Sequence, residues 1–257
     1  MRLESKIQWN VKGKIFGGPK LMECIPVISR NREELLRDVE EISSHHPDVI
    51  EWRIDYYDQL DNQQHIRESL EAIQPMVREI PILLTFRHVS EGGVNKEASQ
   101  ETRLSVIRTA CEAGLVEMVD VEKANEPEFL EAVKAVVKKH GVKLVLSNHD
   151  FQKTPAEEEI VASIKACEKM GADVAKIAVM PRTFTDVLTL AKATYRARTQ
   201  EVDIPLITVS MGEMGSLTRV LGGEFGSDLS FLCSSGASGP GQIDIEEFRE
   251  MTRMLNR

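Results

Sequence analysis

Eight short apolar runs, each followed by an amphipathic stretch, leave this chain few ways to fold. The runs lie at 23–29, 49–54, 82–86, 117–121, 142–147, 174–179, 206–210 and 228–233. Helical spacing recurs between and after them, near 32–45, 62–78, 98–113, 126–140, 156–170, 184–199, 215–222 and 244–256. Repeated strand–helix alternation brings strands parallel, joined by crossovers that lay the helices on the sheet. Eight such units in 257 residues fit a (β/α)8 TIM barrel better than an open doubly wound sheet, which has fewer strands. Caps support several helix starts. Thr154-Pro155-Ala156-Glu157 reads as an N-cap threonine, a proline at the first helical position and a glutamate three residues after the cap. Asn31 with Glu34, and Asp244 with Glu247, follow the same logic. Before the first run, Lys6-Ile7-Gln8-Trp9-Asn10-Val11 alternates, Lys12-Gly13 makes a turn and Lys14-Ile15-Phe16 continues. This predicts an N-terminal β-hairpin closing the bottom of the barrel. One domain over 1–257 is expected, with the hairpin in 1–19 and the barrel in 20–257.

Charge narrows the partners. The 32 basic and 41 acidic residues give a net charge of -9, which argues against nucleic acid or an anionic membrane surface. An anionic small substrate stays open, because a few local arginines outweigh a diffuse field. Cys24, Cys111, Cys167 and Cys233 are widely spaced with no CxxC pair, so neither a zinc site nor a disulfide framework is indicated. The first residues lack a signal-peptide apolar stretch, and no run approaches ~18 apolar residues. The expectation is a cytoplasmic protein.

Chemistry gathers at the ends of the predicted strands, where such barrels carry their sites. Lys176 lies inside Val174-Ala175-Lys176-Ile177-Ala178-Val179-Met180, and burying a charged lysine there is costly unless it is paired or used. One strand earlier, Leu144-Val145-Leu146-Ser147-Asn148-His149-Asp150 delivers a histidine. An amine nucleophile beside a proton shuttle suggests Schiff-base chemistry. An ordinary lysine is only about 0.04% free amine at pH 7, so nearby cationic arginines are expected to help liberate it. The bland alternative is a lysine that snorkels outward or pairs with Glu51. Glu51, Arg53 and Asp55 share one face of their strand and are expected to point inward. Glu51 is then the candidate to orient His149, unless the group is an internal ion-pair network with Arg87. Arg53, Arg87 and Arg219 together suit a carboxylate substrate. The Ser/Gly/Pro-rich stretch ending in Gln242 has the composition of a lid.

In order along the chain, Glu51-Trp52-Arg53-Ile54-Asp55, Thr85-Phe86-Arg87 with Glu91-Gly92-Gly93, Ser147-Asn148-His149-Asp150-Phe151, Lys176-Ile177-Ala178-Val179-Met180-Pro181, Ser210-Met211 and Pro240-Gly241-Gln242-Ile243 resemble the type I 3-dehydroquinate dehydratases. The resemblance spans essentially the whole chain. It implies dehydration of 3-dehydroquinate to 3-dehydroshikimate on the route to aromatic amino acids, with Lys176 forming the imine and His149 moving the proton. It further implies that Glu51, Arg53, Arg87, Arg219, Ser238 and Gln242 line the substrate site, with Arg219 on the carboxylate. No cofactor or metal and a homodimer are implied as well. Thr218, Gly239 and Cys24 depart from the usual family residues, but none replaces a catalytic group. Alternatives left open by the residues are a class I aldolase of the same fold, a metal-dependent lyase using Glu51, His149 and Asp150, and a catalytically silent barrel.

Overall fold

A computed structural model describes residues 2–234 and 239–255. Two short antiparallel strands, β1 (Trp9–Val11) and β2 (Lys14–Phe16), come first. Eight strands follow: β3 (Met22–Val27), β4 (Val49–Arg53), β5 (Ile82–Thr85), β6 (Met118–Glu122), β7 (Lys143–Asp150), β8 (Val174–Val179), β9 (Leu206–Ser210) and β10 (Leu229–Phe231). They pair in parallel in the order β10-β3-β4-β5-β6-β7-β8-β9, as the alternating pattern predicts. The last seam closes differently. There the backbone N–H of Asp228 donates to Leu206 O (2.6 Å), while the Asp228 and Ser227 side chains accept from Leu206 N (2.6 Å) and Thr208 N (3.1 Å). One backbone bond and two side-chain acceptors thus finish the ring where β9 and β10 share no ladder.

Alternation along each strand sorts the core into two layers. Ile50, Trp52, Leu84, Val119, Val121, Leu144, Leu146, Ala175 and Ile177 face outward against the helices in one cluster. Cys24, Val49, Leu83, Met118, Val145, Val174, Ile207, Leu229 and Phe231 form a smaller cluster inside the cylinder. Because Val49 is inside, Glu51 and Arg53 must follow it inward. This phase sends the charged residues of the strands to the interior.

The helices are α1 (Arg32–Ser44), α2 (Gln63–Ile73), α3 (Gln100–Ala113), α4 (Pro127–His140), α5 (Glu157–Lys169), α6 (Phe184–Arg196), the one-turn α7 (Gly212–Gly215), α8 (Leu217–Phe225) and α9 (Ile245–Leu255). Asn31 caps α1 by accepting from Glu34 N at 3.0 Å, and Asp244 accepts from Glu246 N at 2.8 Å. The cap expected at Thr154 is not there. Residues up to Ala156 stay extended, Ala156 occupies the cap position without a side-chain bond, and the Thr154 hydroxyl donates to Met180 O instead (3.2 Å). Thr183 with Asp186 supplies a capping box that the sequence reading passed over.

The hairpin turns at Lys12 and Gly13, both at positive φ (48° and 80°), as a two-residue turn between twisted strands requires. Its Phe16 is fully buried in the inner cluster and stacks on Trp9 with ring centroids 4.1 Å apart. Lys12 pairs with Glu117 (2.8 Å) and reaches Ile80 O (3.2 Å). The hairpin therefore packs under the N-terminal ends of the barrel strands, leaving the opposite end for the site.

Candidate active site

β7 and β8 lie side by side with Ser147 opposite Lys176 and His149 opposite Ala178. Since Lys176 and Ala178 share a face, the register sets His149 next to Lys176 and nearer the C-terminal mouth. The strand β7 continues to Asp150, three residues past its expected end, so His149 is held by a ladder rather than by a loop. Both residues line a cavity of about 160 Å3 together with Glu51, Arg53, Arg87, Glu91, Met211, Arg219, Phe231, Pro240 and Gln242. That volume suits one small molecule.

Lys176 is 5% exposed and does not snorkel. Its Nζ donates to Asp120 Oδ2 at 2.8 Å, lies 3.6 Å from Glu51 Oε1 and sits 4.3 Å from the Phe231 ring centre. Its nearest charges are carboxylates, the reverse of the arginine neighbours expected from sequence. Asp120, unassigned in the sequence reading, is fully buried and also accepts from Arg87 (2.9 Å) and from the Ser147 hydroxyl (2.6 Å). Burial alone would neutralise this carboxyl, but Arg87 and Lys176 outweigh it and hold it far below the usual carboxylate range. Asp120 is therefore a permanent anion beneath the amine.

The partner of His149 is Glu91, not Glu51. Glu91 Oε2 accepts from the backbone N–H of His149 at 2.7 Å and lies 2.9 Å from its Nδ1. Glu51 instead accepts from the Thr85 hydroxyl at 2.8 Å. An ionised Glu91 fixes the tautomer with the proton on Nδ1, leaving the Nε2 lone pair for the substrate. Burial, then Arg87 and Lys176, keep the imidazole well below its ordinary pKa, so it stands ready as a neutral base. Burial, reinforced by Glu122, raises the Glu91 carboxyl to about 7.

Glu91 reaches His149 because the chain after Arg87 turns back sharply, with Glu91 N and Gly93 N both donating to His88 O at 3.0 Å. A Cβ on Gly93 would lie 2.0 Å from Arg87 O. Gly93→Ala is therefore expected to open this turn, with a loss of about 1–3 kcal/mol in stability and a parallel fall in kcat as Glu91 leaves the imidazole. Denaturant unfolding with steady-state kinetics checks it, and a variant unchanged in both would remove the glycine from this role.

The three arginines have different fates. Arg87 is locked among Asp120, Glu122 (2.8 Å) and Ser147 (2.7 Å); burial opposes its charge, yet the two carboxylates hold its pKa above the ordinary value. It is part of the internal ion-pair network, although with Asp120 and Glu122 rather than with the residues of β4. Arg53 grips Asp55 through two bonds of 2.8 and 2.9 Å while still facing the cavity. Arg219, 4% exposed, donates to Phe231 O and Pro240 O at 2.8 Å each. Among the described residues its Nε has no partner, and burial lowers its pKa to about 10. A buried guanidinium lacking a carboxylate, on the wall of a cavity, is a receptor for one. Gln242 lines the cavity and accepts from Gly239 N at 3.3 Å. Ser238 lies outside the described residues.

Nothing in the strand pattern announced that Glu91 would serve His149, though the Glu-Gly-Gly sequence was visible. Asp120 did carry a signal: Asp120 and Glu122 interrupt the valines of Met118-Val119-Asp120-Val121-Glu122 at inward positions. Among the described residues, no group of three or more His, Cys, Asp or Glu side chains is arranged to hold a metal ion. None of the described helices is long and apolar enough to cross a membrane.

The family described as type I 3-dehydroquinase matches residues 23–257. A 3-dehydroquinate dehydratase of Geobacillus thermodenitrificans is 39% identical over 98% of this chain and 97% of its own. The crystal structure of 3-dehydroquinate dehydratase from Geobacillus kaustophilus superposes with a TM-score of 0.96 at 35% identity, covering 100% of this chain and 98% of that one. A type I 3-dehydroquinate dehydratase from Clostridium difficile, solved with covalently modified comenic acid, gives a TM-score of 0.93 at 36% identity over 97% of this chain and 98% of that one.

Proposed function

The chain belongs to the type I 3-dehydroquinase family, and from that premise we propose that it dehydrates 3-dehydroquinate through an imine on Lys176, with His149 moving the proton. It is a hydro-lyase, a 3-dehydroquinate dehydratase of type I. Family membership replaces the aldolase alternative. The observation that carries the Schiff-base reading is the pair itself, Lys176 and His149 on adjacent strands facing one cavity that also holds Arg219. The covalently modified ligand in the C. difficile relative supports it.

In this reading the substrate carboxylate pairs with the guanidinium of Arg219 on the cavity wall, which sets the C3 ketone toward Lys176. Once the Lys176 ammonium has given a proton to solvent, the free amine adds to the carbonyl carbon; the carbinolamine hydroxyl then takes a proton back and leaves as water, giving a protonated imine. Asp120, already ionised under Nζ, stabilises that positive charge. Nε2 of His149 removes a C2 proton, and the electrons of the broken C–H bond flow into the imine to give an enamine. The enamine then expels the C1 hydroxyl, which leaves as water with the proton carried by His149. Hydrolysis consumes one water, matching the one released in imine formation, and frees both the lysine and the product. One imidazole serving both halves makes the elimination syn. Glu51, Arg53, Arg87, Ser238 and Gln242 would complete the substrate contacts, Arg87 chiefly by fixing Asp120. Neither cofactor nor metal has a part in these steps.

Incubation with 3-dehydroquinate should produce the conjugated-enone absorbance of the product. Borohydride added during turnover should fix one substrate-derived mass on Lys176. Absence of both would reject the reading. Arg219→Gln is expected to lower kcat/KM by roughly tenfold to a hundredfold through KM, as loss of a charged hydrogen bond does; steady-state kinetics on the acid and on its methyl ester separates this role from a general loss of packing.

The same reading gives the enzyme a cytoplasmic role in the shikimate route and a homodimer as its working unit. Support for self-association comes from exposed Phe184 and Leu188 on α6 and Leu217 on α8. Light scattering of the purified protein tests the dimer.

A further inference from the structure

Arg103 belongs to α3, a helix outside the barrel, yet only 2% of it is exposed. Its guanidinium lies over the rings of Phe86 and Phe129, 5.7 and 4.9 Å from their centres. There it donates to Glu122 Oε2 (2.7 Å), Asn125 Oδ1 (2.7 Å) and Phe86 O (3.2 Å). Apolar packing holds the other helices to the sheet, and a buried ion pair adds little stability over such packing. The value of this charge lies in what it pairs with.

Glu122 divides its two oxygens. Oε2 accepts from Arg103 and from the Asn125 amide (2.9 Å), while Oε1 accepts from Arg87 (2.8 Å) and the backbone N–H of His88 (2.9 Å). Two branches start at Oε1. One runs through Arg87 to Asp120 (2.9 Å) and on to Lys176 Nζ (2.8 Å). The other runs through the turn at His88, whose carbonyl accepts from Glu91 N (3.0 Å), and so to Glu91 and His149. Glu91 and Glu122 also border one cavity of about 100 Å3. Of the charges around Glu91, Glu122 and Asp120 oppose its ionisation and Arg87 favours it, with His149 in direct contact. Among the described residues, only Arg87 and Arg103 form ion pairs with Glu122. Without Arg103, that charge would fall on Arg87 alone and draw it from Asp120.

We propose, resting on the imine reading above, that Arg103 is a positioning residue of the dehydration: through Glu122 it holds Lys176 and the Glu91–His149 pair in place together. Arg103→Gln is expected to lower kcat about tenfold to a hundredfold. KM should not change, because Arg219 is untouched. The substitution also removes a positive charge near two carboxylates. Proton uptake by the Glu91–His149 pair should therefore move to higher pH by about half a pH unit or more, read by NMR of the His149 ring without substrate. Arg103→Lys keeps the charge and should return both quantities toward the wild type, whereas an arginine that only packs the helix would leave the titration in place. The NMR readout needs no turnover, so it decides the matter even where the imine reading fails. If circular dichroism shows Arg103→Gln unfolded, the double variant with Glu122→Gln replaces it, measured against Glu122→Gln alone. There the titration should again lie at higher pH, and kcat should fall no further, since Arg103 acts through Glu122. The proposal is overturned if Arg103→Gln leaves either kcat or the titration unchanged, or if Arg103→Lys restores neither. It is overturned equally if the double variant loses further kcat or keeps the titration of Glu122→Gln.

Discussion

Lys176→Ala will leave a folded barrel whose turnover of 3-dehydroquinate is lower by roughly four orders of magnitude or more. The size of the effect follows from what is lost, the only route proposed for making the C2 proton acidic. Without an imine, His149 faces a ketone whose proton it must remove with no electron sink of comparable strength. The fold should survive, because Asp120 keeps Arg87 at 2.9 Å and the Ser147 hydroxyl at 2.6 Å once the ammonium is gone. Product binding should persist as well, since Arg219 is untouched. Three measurements are needed: circular dichroism for the fold, calorimetry for product binding, and intact mass after borohydride for the adduct. A variant that still turns over within a factor of about ten, or that still gains the reduced adduct, would place the covalent chemistry on another residue.

Much of this site was legible because a strand has a period of two. Once the apolar residues of a barrel strand are phased outward, the charged ones between them must face in, which is how Glu51, Arg53 and Lys176 were placed. Pairing among inward residues is another matter, because it depends on which strands become neighbours around the ring and at what stagger. Asp120 pairs with Lys176 across β7, from β6 to β8, a relation that spacing along the chain does not encode. Glu51 was linked to His149 only because both are ionisable and inward. The structure gives that place to Glu91, on a loop without periodicity whose path is set by a backbone turn at His88 and by the space left at Gly93. The misplaced cap of α5 has a similar cause: Thr154-Pro155 satisfied a local rule, but Ala156 stays extended (φ -61°, ψ 153°) and the threonine hydroxyl is taken by Met180 O. Local rules fixed the elements well and the partners across the barrel poorly.

His149→Ala is expected to lower kcat by about two to four orders of magnitude while leaving Lys176 able to meet the ketone. The imine should then accumulate, so borohydride traps more adduct per chain than in the wild type during turnover. Glu91 turns this into a pH prediction. With its carboxyl near 7, Glu91 is ionised above that pH and holds the proton of His149 on Nδ1, which leaves Nε2 free to act as base. Below about 7 the pair takes up one more proton, the free lone pair is lost, and kcat/KM should fall about tenfold per pH unit. In Glu91→Gln no carboxyl titrates. The limb is then set by the imidazole alone, whose proton affinity is depressed by burial, Arg87 and Lys176, so it should move to lower pH. At the same time the plateau should drop, because the imidazolium formed after proton abstraction has lost its counter-charge. If the limb stays near pH 7 in Glu91→Gln, the titrating group is not this pair, and the tautomer control assigned to Glu91 is wrong.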